Sequence, residues 1–181
     1  MHKNIVVLSG SPRKGGNSDL LCDEFVKGAL KVGNQAEKIC LADKKINYCI
    51  ACDACKRNNG VCVWKDDMAD ILEKVIQADV IVMATPVYFY TMDAQMKTLI
   101  DRTVARYTEI KNKEFYFIVT AADNSIPAME RTIEGFRGFM DCLDGARERG
   151  IVYGVGAWNK GDIKGSKAMQ IAYAMGKNIK E

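Results

Sequence analysis

The 181-residue chain contains one histidine, His2, close to its N-terminus. A Ser-His-Asp triad, or an active site built on histidine as general acid and base, is therefore not expected. Demanding chemistry would have to be carried by a bound cofactor, with the protein supplying binding and orientation.

The chain also lacks a hydrophobic run long enough to span a membrane, and residues 1–4 lead directly into an apolar segment without a signal or transit peptide. Its net charge of +3 comes without a basic stripe interleaved with aromatic residues, which argues against nucleic acid as a partner. No linker, repeat or low-complexity segment divides it. We expect a cytoplasmic protein with a single domain over residues 1–181.

Short apolar segments alternate with amphipathic ones along the whole chain. The apolar segments predict five buried strands, at residues 5–8, 37–41, 79–84, 115–120 and 151–155. The amphipathic segments predict helices, at about residues 17–26, 66–76, 94–106, 127–143 and 166–177. Five such pairs indicate an α/β protein with a doubly wound parallel sheet covered on both faces. A cysteine-containing insertion at about residues 42–65 interrupts the alternation.

The loop between the first strand and the first helix has the composition of a phosphate site. Its glycines let the main chain approach a ligand, and the following helix N-terminus favours an anion. The loop lacks both the G-x-G-x-x-G dinucleotide pattern and the Lys-Ser or Lys-Thr of a Walker A loop, so a single phosphomonoester fits best. An ordinary glycine-rich turn is the alternative. The candidate ligands are Ser9, Ser11, Arg13, Asn17 and Ser18.

Two more strand ends carry unusual residues. The third strand ends in Pro86, and three aromatic residues stand among the next four positions. Such a loop exposes costly apolar surface unless a planar ligand or a partner chain covers it, and packing in the core is the alternative. Residues 120–123 follow the fourth strand. Because ligands bind at the carboxyl ends of parallel strands, these loops and the phosphate loop predict one mononucleotide site.

Four of the seven cysteines have the spacing C-x2-C-x2-C-x6-C, at Cys49, Cys52, Cys55 and Cys62. Three thiols at three-residue intervals with a fourth from a loop suit a [4Fe–4S] cluster, whereas zinc sites more often use two separate C-x2-C pairs. A cluster and free thiols both stay open. The other cysteines, Cys22, Cys40 and Cys142, are interpreted as small buried apolar residues. On the fourth helix, Lys97, Asp101 and Arg102 are interpreted as structural ion-pairing residues.

The chain resembles the flavodoxin-like NAD(P)H-dependent FMN reductases, in the branch that includes iron–sulfur flavoproteins. The resemblance is carried by the cysteine run together with the motifs at residues 10–18, 78–79, 86–89, 97–102 and 160–163. The resemblance implies a flavodoxin-like sheet of strand order 2-1-3-4-5, bound FMN, NAD(P)H as co-substrate and a homodimer or homotetramer. It also implies that Ser11, Arg13, Asn17 and Ser18 hold the FMN phosphate, that Pro86, Val87, Tyr88 and Phe89 lie along the flavin ring, and that Thr120, Ala121 and Asp123 form a third flavin loop.

These observations lead to one main functional hypothesis and two alternatives. The main hypothesis is an FMN oxidoreductase that takes a hydride from NAD(P)H and reduces a flavin, quinone or similar acceptor. No residue is assigned as catalytic, and Tyr88 is the first side chain to test. The alternatives are an iron–sulfur flavoprotein that carries electrons between partner proteins, and a redox- or metal-sensing module that uses the four thiols.

Overall fold

A computed structural model of the protein describes residues 2–179. The strands are β1 (Asn4–Ser9), β2 (Gln35–Cys40), β3 (Val80–Tyr88), β4 (Thr91–Met92), β5 (Glu114–Thr120) and β6 (Arg147–Gly154). The α-helices are α1 (Asn17–Lys31), α2 (Ala54–Arg57), α3 (Met68–Gln77), α4 (Ala94–Arg102), α5 (Glu130–Met140) and α6 (Lys167–Lys177). Among residues 2–179, no helix combines the length and apolarity that crossing a bilayer requires.

Five parallel strands form the sheet in the order β2-β1-β3-β5-β6, which is the predicted order 2-1-3-4-5 of the parallel strands. The prediction missed β4, which pairs antiparallel with the end of β3. It also ended the third strand too early, because the strand continues through Pro86 to Tyr88. The flavodoxin-like α/β fold is confirmed, with a short hairpin added at the end of its central strand.

The core has two layers because the central strands bury both of their faces. Ile5 and Val7 of β1 pack with α1 and α6 on one side of the sheet. Val6 and Leu8 point to the other side, where α3, α4 and α5 cover them. This burial on both faces explains why the strands are continuous apolar runs in the sequence.

Helices α1 and α6 touch each other through two glycines. A Cβ atom on Gly28 would collide with the carbonyl oxygen of Tyr173, and one on Gly176 with the carbonyl oxygen of Phe25. The two main chains are therefore in direct contact, with no side chain between them. This contact fixes the position of α6 relative to α1.

A buried ion pair fastens the long connection between β2 and α3. The guanidinium of Arg102 donates to both carboxylate oxygens of Asp66, at 2.8 and 3.0 Å, and the two side chains are 2% and 0% exposed. Asp66 also accepts hydrogen bonds from the main chain and side chain of Asn47. Although burial acts to raise it, these bonds from Arg102 and Asn47 hold the pKa of Asp66 well below its usual range. Lys97 and Asp101 form a separate exposed pair at 2.6 Å.

Candidate functional site

A cleft of about 340 Å³ opens at the carboxyl ends of β1, β3, β5 and β6. Its volume lies in the range of small-molecule sites, and its position is the one expected for a ligand on a parallel sheet. The residues that line it are Ser11, Arg13, Gly16, Asn17, Ser18, Pro86, Val87, Tyr88, Phe89, Thr120, Ala121, Ala122, Ala157, Trp158 and Lys160.

Ten of the twelve residues predicted to bind the cofactor line this cleft, and Ser9 and Asp123 do not. Ser9 is 1% exposed, and its hydroxyl donates to Asp19 at 2.9 Å inside the protein. Asp123 lies in an adjacent groove, where its carboxylate accepts from the main-chain N–H of Ser125 at 2.7 Å. Each side chain is held by a hydrogen bond to a group outside the cleft lining.

One end of the cleft has the features of a phosphate site. The Ser18 hydroxyl is buried, lines the cleft and has no hydrogen-bond partner within residues 2–179. It stands in the first turn of α1, where the main-chain N–H groups lack partners within the helix, and Gly16 supplies no side-chain cap. Arg13 adds a positive charge nearby. An unpartnered donor, an open helix N-terminus and a guanidinium together fit a phosphomonoester.

Asp19 stabilises the loop at this end by hydrogen bonds on the side away from the cleft, a role that the sequence did not predict. Asp19 accepts hydrogen bonds from the main-chain N–H of Gly15 at 2.9 Å and from Lys38 at 2.9 Å, besides Ser9. Although burial acts to raise it, these bonds hold the pKa of Asp19 below its ordinary value. Its negative charge is thus paired with Lys38 outside the cleft lining.

Asn17 has a different role from the predicted one. Its side-chain N–H groups donate to the carbonyls of Ala157 and Asn159, at 3.2 and 2.8 Å. Its side-chain oxygen accepts from the main-chain N–H groups of Gly161 and Ile163, at 3.0 and 3.3 Å. Two donated and two accepted bonds use the full capacity of an amide side chain. Only the main-chain N–H of Asn17 is left for a phosphate, and the side chain fastens the segment after β6.

The other end of the cleft is the hairpin between β3 and β4. Phe89 and Tyr90 form its two-residue turn, with φ angles of 50° and 65°. This is the geometry of a type I′ turn, which costs a non-glycine residue about 1 kcal/mol or more. Tyr88, Phe89 and Tyr90 are 41%, 99% and 56% exposed. The alternative that these aromatic residues pack in the core is therefore wrong, and the apolar surface is available to a ligand or a partner.

A buried acid, Asp93, directly follows the β3–β4 hairpin in the chain and packs against the phosphate loop. One of its carboxylate oxygens caps α4 by accepting from the Met96 N–H at 2.9 Å, and its own N–H donates to Thr85 at 3.0 Å. The other oxygen has no partner among the described residues. A Cβ atom on Gly10 would lie 2.7 Å from this carboxylate, so the acid packs directly against the phosphate loop. Burial raises the pKa of Asp93 to about 7.

The four clustered cysteines all line one small cavity of about 130 Å³, together with Arg102. Within residues 2–179, no three side chains of the ligand-forming types converge as a single metal ion would require. Four thiols around one cavity are the donor set of a [4Fe–4S] cluster, in which each thiolate binds a different iron. Of the other cysteines, Cys22 is buried as predicted, whereas Cys40 is partly exposed and Cys142 is exposed, because it follows the end of α5.

Five residues of the cleft were not predicted from the sequence: Gly16, Ala122, Ala157, Trp158 and Lys160. Gly16 and Ala122 lie within loops that had been recognised. The other three lie between β6 and α6, just after the carboxyl end of β6. The rule that ligands bind at the carboxyl ends of parallel strands could have identified this segment.

Comparison with known proteins gives this site a context. The sequence model of the NADPH-dependent FMN reductase family matches residues 3–143 of the chain. An iron–sulfur flavoprotein of Methanosarcina thermophila is 34% identical over 143 residues, which cover 75% of this chain and 72% of that protein. One from Archaeoglobus fulgidus is 42% identical over 97 residues, covering 54% of this chain and 44% of that protein. The matched region spans 44% and 51% of two such relatives, about half of their length.

Among solved structures, the Trp repressor binding protein of Bacillus subtilis superimposes with a TM-score of 0.71 at 27% identity, covering 94% of this chain and 99% of that one. The superposition covers more of the chain than the matched residues 3–143. Together with the phosphate loop, the cleft and the hairpin, these matches lead to one conclusion: the chain belongs to the NADPH-dependent FMN reductase family.

Proposed function

We propose that this protein is an FMN-binding oxidoreductase that takes electrons from NAD(P)H and reduces a flavin, a quinone or a similar small acceptor. The observation that carries the proposal is the buried Ser18 hydroxyl, which has no partner among the described residues and faces a cleft at the start of α1. A phosphomonoester at this end and a planar ring toward the aromatic hairpin would satisfy both ends of the cleft.

The residues of the cleft divide into a polar and an apolar group. Ser11, Arg13, Ser18 and the main-chain N–H groups that open α1 would hold the phosphate. The flavin ring would lie along residues 86–89 and against residues 120–122. Bound FMN would supply the hydride and electron chemistry. The protein's part is to bind, orient and exclude water, since the cleft lining has no carboxylate and no histidine among the described residues.

The test is a comparison of ligands that differ only in the phosphate. Flavin fluorescence quenching should give a lower dissociation constant for FMN than for riboflavin. Ser18→Ala should weaken FMN by about 1–2 kcal/mol, because a donor to a charged group is lost, and should leave riboflavin unchanged. Ser166→Ala is the matched control, since the Ser166 hydroxyl also lacks a partner among residues 2–179 but lies outside the cleft. Equal affinities of the parent protein for FMN and riboflavin would refute the phosphate assignment.

A second candidate function is electron transfer between partner proteins, as an iron–sulfur flavoprotein. The observation that favours it is the cavity lined by Cys49, Cys52, Cys55 and Cys62. The four thiolates would each bind one iron of a [4Fe–4S] cluster, which would supply one-electron chemistry. Assays of iron and acid-labile sulfide on anaerobically purified protein separate this candidate from a simple FMN reductase.

We further propose a single domain over residues 1–181, with residues 42–65 inserted between β2 and α3, acting in the cytoplasm without nucleic acid or membrane as a partner. The proposed assembly is a homodimer or homotetramer. Its support is the exposed aromatic hairpin, because apolar surface of this kind is often covered by a second subunit. The expected electron acceptors are small molecules or other electron carriers.

A further inference from the structure

The segment between β6 and α6, residues 155–166, closes the phosphate end of the cleft. We call it the β6–α6 loop. It lies beyond residues 3–143, which match the family, and although residues 160–163 contribute to the resemblance, the resemblance gives them no binding role. The Asn17 side chain fastens it by four hydrogen bonds, and Arg13 donates to the carbonyl of Trp158 at 3.2 Å. The phosphate loop and the β6–α6 loop are therefore one connected unit.

The β6–α6 loop brings a lysine to the phosphate loop. Lys160 lines the cleft, and a Cβ atom on Gly15 would lie 3.3 Å from its Cε atom and 3.5 Å from its Nζ atom. Because Gly15 has no side chain and a φ of 67°, nothing separates the ammonium from the main chain of the loop. Lys14 has a closer place in the sequence, but it pairs with Asp43 at 3.6 Å and does not line the cleft.

The charges in the cleft match a dianion. Arg13 and Lys160 are the two cations of the lining, and no carboxylate accompanies them among the described residues. The lysines that form ion pairs within residues 2–179 are others, so the Lys160 ammonium is available to a ligand. A phosphomonoester carries close to two negative charges at neutral pH. One cation from each loop would balance that charge.

We infer that Lys160 is the second cationic ligand of the FMN phosphate, and that Asn17 is the positioning residue that holds Lys160 over it. The inference rests on the proposed FMN site. It assigns the phosphate to two loops that are far apart in sequence, with Arg13 on one and Lys160 on the other. Asn17 acts at a distance from the ligand, through the main chain of the β6–α6 loop.

The experiment compares Lys160→Gln with Lys164→Gln. Lys164 is an exposed lysine of the same loop that lies outside the cleft, so both variants remove one charge from the same segment. Flavin fluorescence quenching measures the dissociation constants of FMN and riboflavin at low and high ionic strength. K160Q should weaken FMN about fivefold, the effect expected for a partly exposed ion pair, and the loss should shrink in high salt. Riboflavin binding, and FMN binding by K164Q, should equal those of the parent.

Asn17→Ala tests the positioning role by a double-mutant cycle. Without the amide the β6–α6 loop is no longer fastened, so N17A should weaken FMN more than riboflavin. Adding K160Q to N17A should then cost much less than the fivefold loss that K160Q causes alone. Circular dichroism confirms that the variants are folded. Additive effects of the two substitutions would overturn the positioning role, because independent sites add.

Other outcomes separate the possible failures. Equal losses of FMN and riboflavin in K160Q would place Lys160 against the ring and overturn the inference. A loss confined to the KM for NADPH, with the KM for NADH and the FMN affinity unchanged, would assign Lys160 to the 2′-phosphate of the nicotinamide cofactor and also overturn it. A parent protein that binds FMN no better than riboflavin would refute the proposed phosphate site itself. A clear preference for FMN with identical K160Q and K164Q would refute only the role of Lys160.

Discussion

Replacing Asp93 by asparagine should make the protein increasingly stable relative to the parent as the pH rises. Asp93 is 1% exposed, and one of its carboxylate oxygens has no partner among the described residues. Its other oxygen caps α4 by accepting from Met96. Asparagine keeps an oxygen for that cap and removes the buried charge. The substitution therefore isolates the cost of ionising this carboxyl inside the protein.

The magnitude follows from the pKa. Burial raises the pKa of Asp93 from 3.8 to about 7, so the folded protein holds a proton there that the unfolded chain has released. Stability from this group is fully present below about pH 4 and is lost as the pH rises to about 7. At about 1.36 kcal/mol per pKa unit the whole loss is about 4 kcal/mol, of which about 2.5 kcal/mol falls between pH 5 and pH 8. An unpartnered amide nitrogen in D93N would cost about 1–3 kcal/mol at every pH, which leaves the pH-dependent part unchanged.

Urea unfolding of the flavin-free protein, followed by tryptophan fluorescence at pH 5, 6, 7 and 8, measures this difference. The free energy of unfolding of D93N minus that of the parent should increase by about 2.5 kcal/mol from pH 5 to pH 8, with unchanged m-values. Asp70→Asn serves as the control, because it removes the same charge from an exposed position on α3. If the difference for D93N stays constant across this pH range, the reasoning from burial is refuted.

Three other substitutions test separate parts of the structure. Arg102→Met leaves the buried Asp66 carboxylate without its ion-pair partner, so the free energy of unfolding by urea should fall by about 3–5 kcal/mol. Limited proteolysis should first cut the cysteine-containing connection. An unchanged urea midpoint would contradict this. Phe89→Asp replaces a fully exposed aromatic ring of the hairpin by a charge, so it should convert the proposed oligomer to a monomer in sedimentation velocity. A parent protein that is itself monomeric at micromolar concentration would disprove the assembly. Cys52→Ser should lose iron and labile sulfide while keeping FMN binding. Cys142→Ser, at an exposed cysteine outside the cavity, should keep the iron, the labile sulfide and FMN binding. Equal iron contents in the two variants would rule out ligation by the cysteines of this cavity.

The sheet could be predicted from the sequence because its central strands are buried on both faces. Strands such as β3 and β5 are therefore uninterrupted apolar runs bounded by polar residues. The β3–β4 hairpin could not be predicted, because its turn residues are Phe89 and Tyr90. Type I′ turns are recognised by asparagine and glycine, and here the surrounding fold imposes the turn on two aromatic residues instead.

The polar half of the cleft was predictable, because loops rich in glycine and hydroxyl groups at a helix N-terminus have a known affinity for phosphate. The role of Asn17 was not, because its four partners are main-chain groups more than 130 positions away in the chain. Main-chain groups can be supplied by any residue type, so such partners leave no pattern in a sequence. From the sequence the Asn17 side chain is predicted to bind phosphate, whereas in the fold it anchors the β6–α6 loop.

The glycine contact between α1 and α6 sets the spacing of the two segments that form the phosphate end of the cleft. The first turn of α1 lines this end and the β6–α6 loop leads into α6, while Gly28 and Gly176 let the two helices approach until their main chains touch. The hairpin at the other end is held by separate contacts: the Thr132 hydroxyl donates to the Tyr90 carbonyl at 3.4 Å, and the Arg131 guanidinium lies over the Tyr90 ring. A methyl group at Gly28 would therefore push α6 and the β6–α6 loop away from α1 and widen the phosphate end, whereas it would leave the hairpin in place.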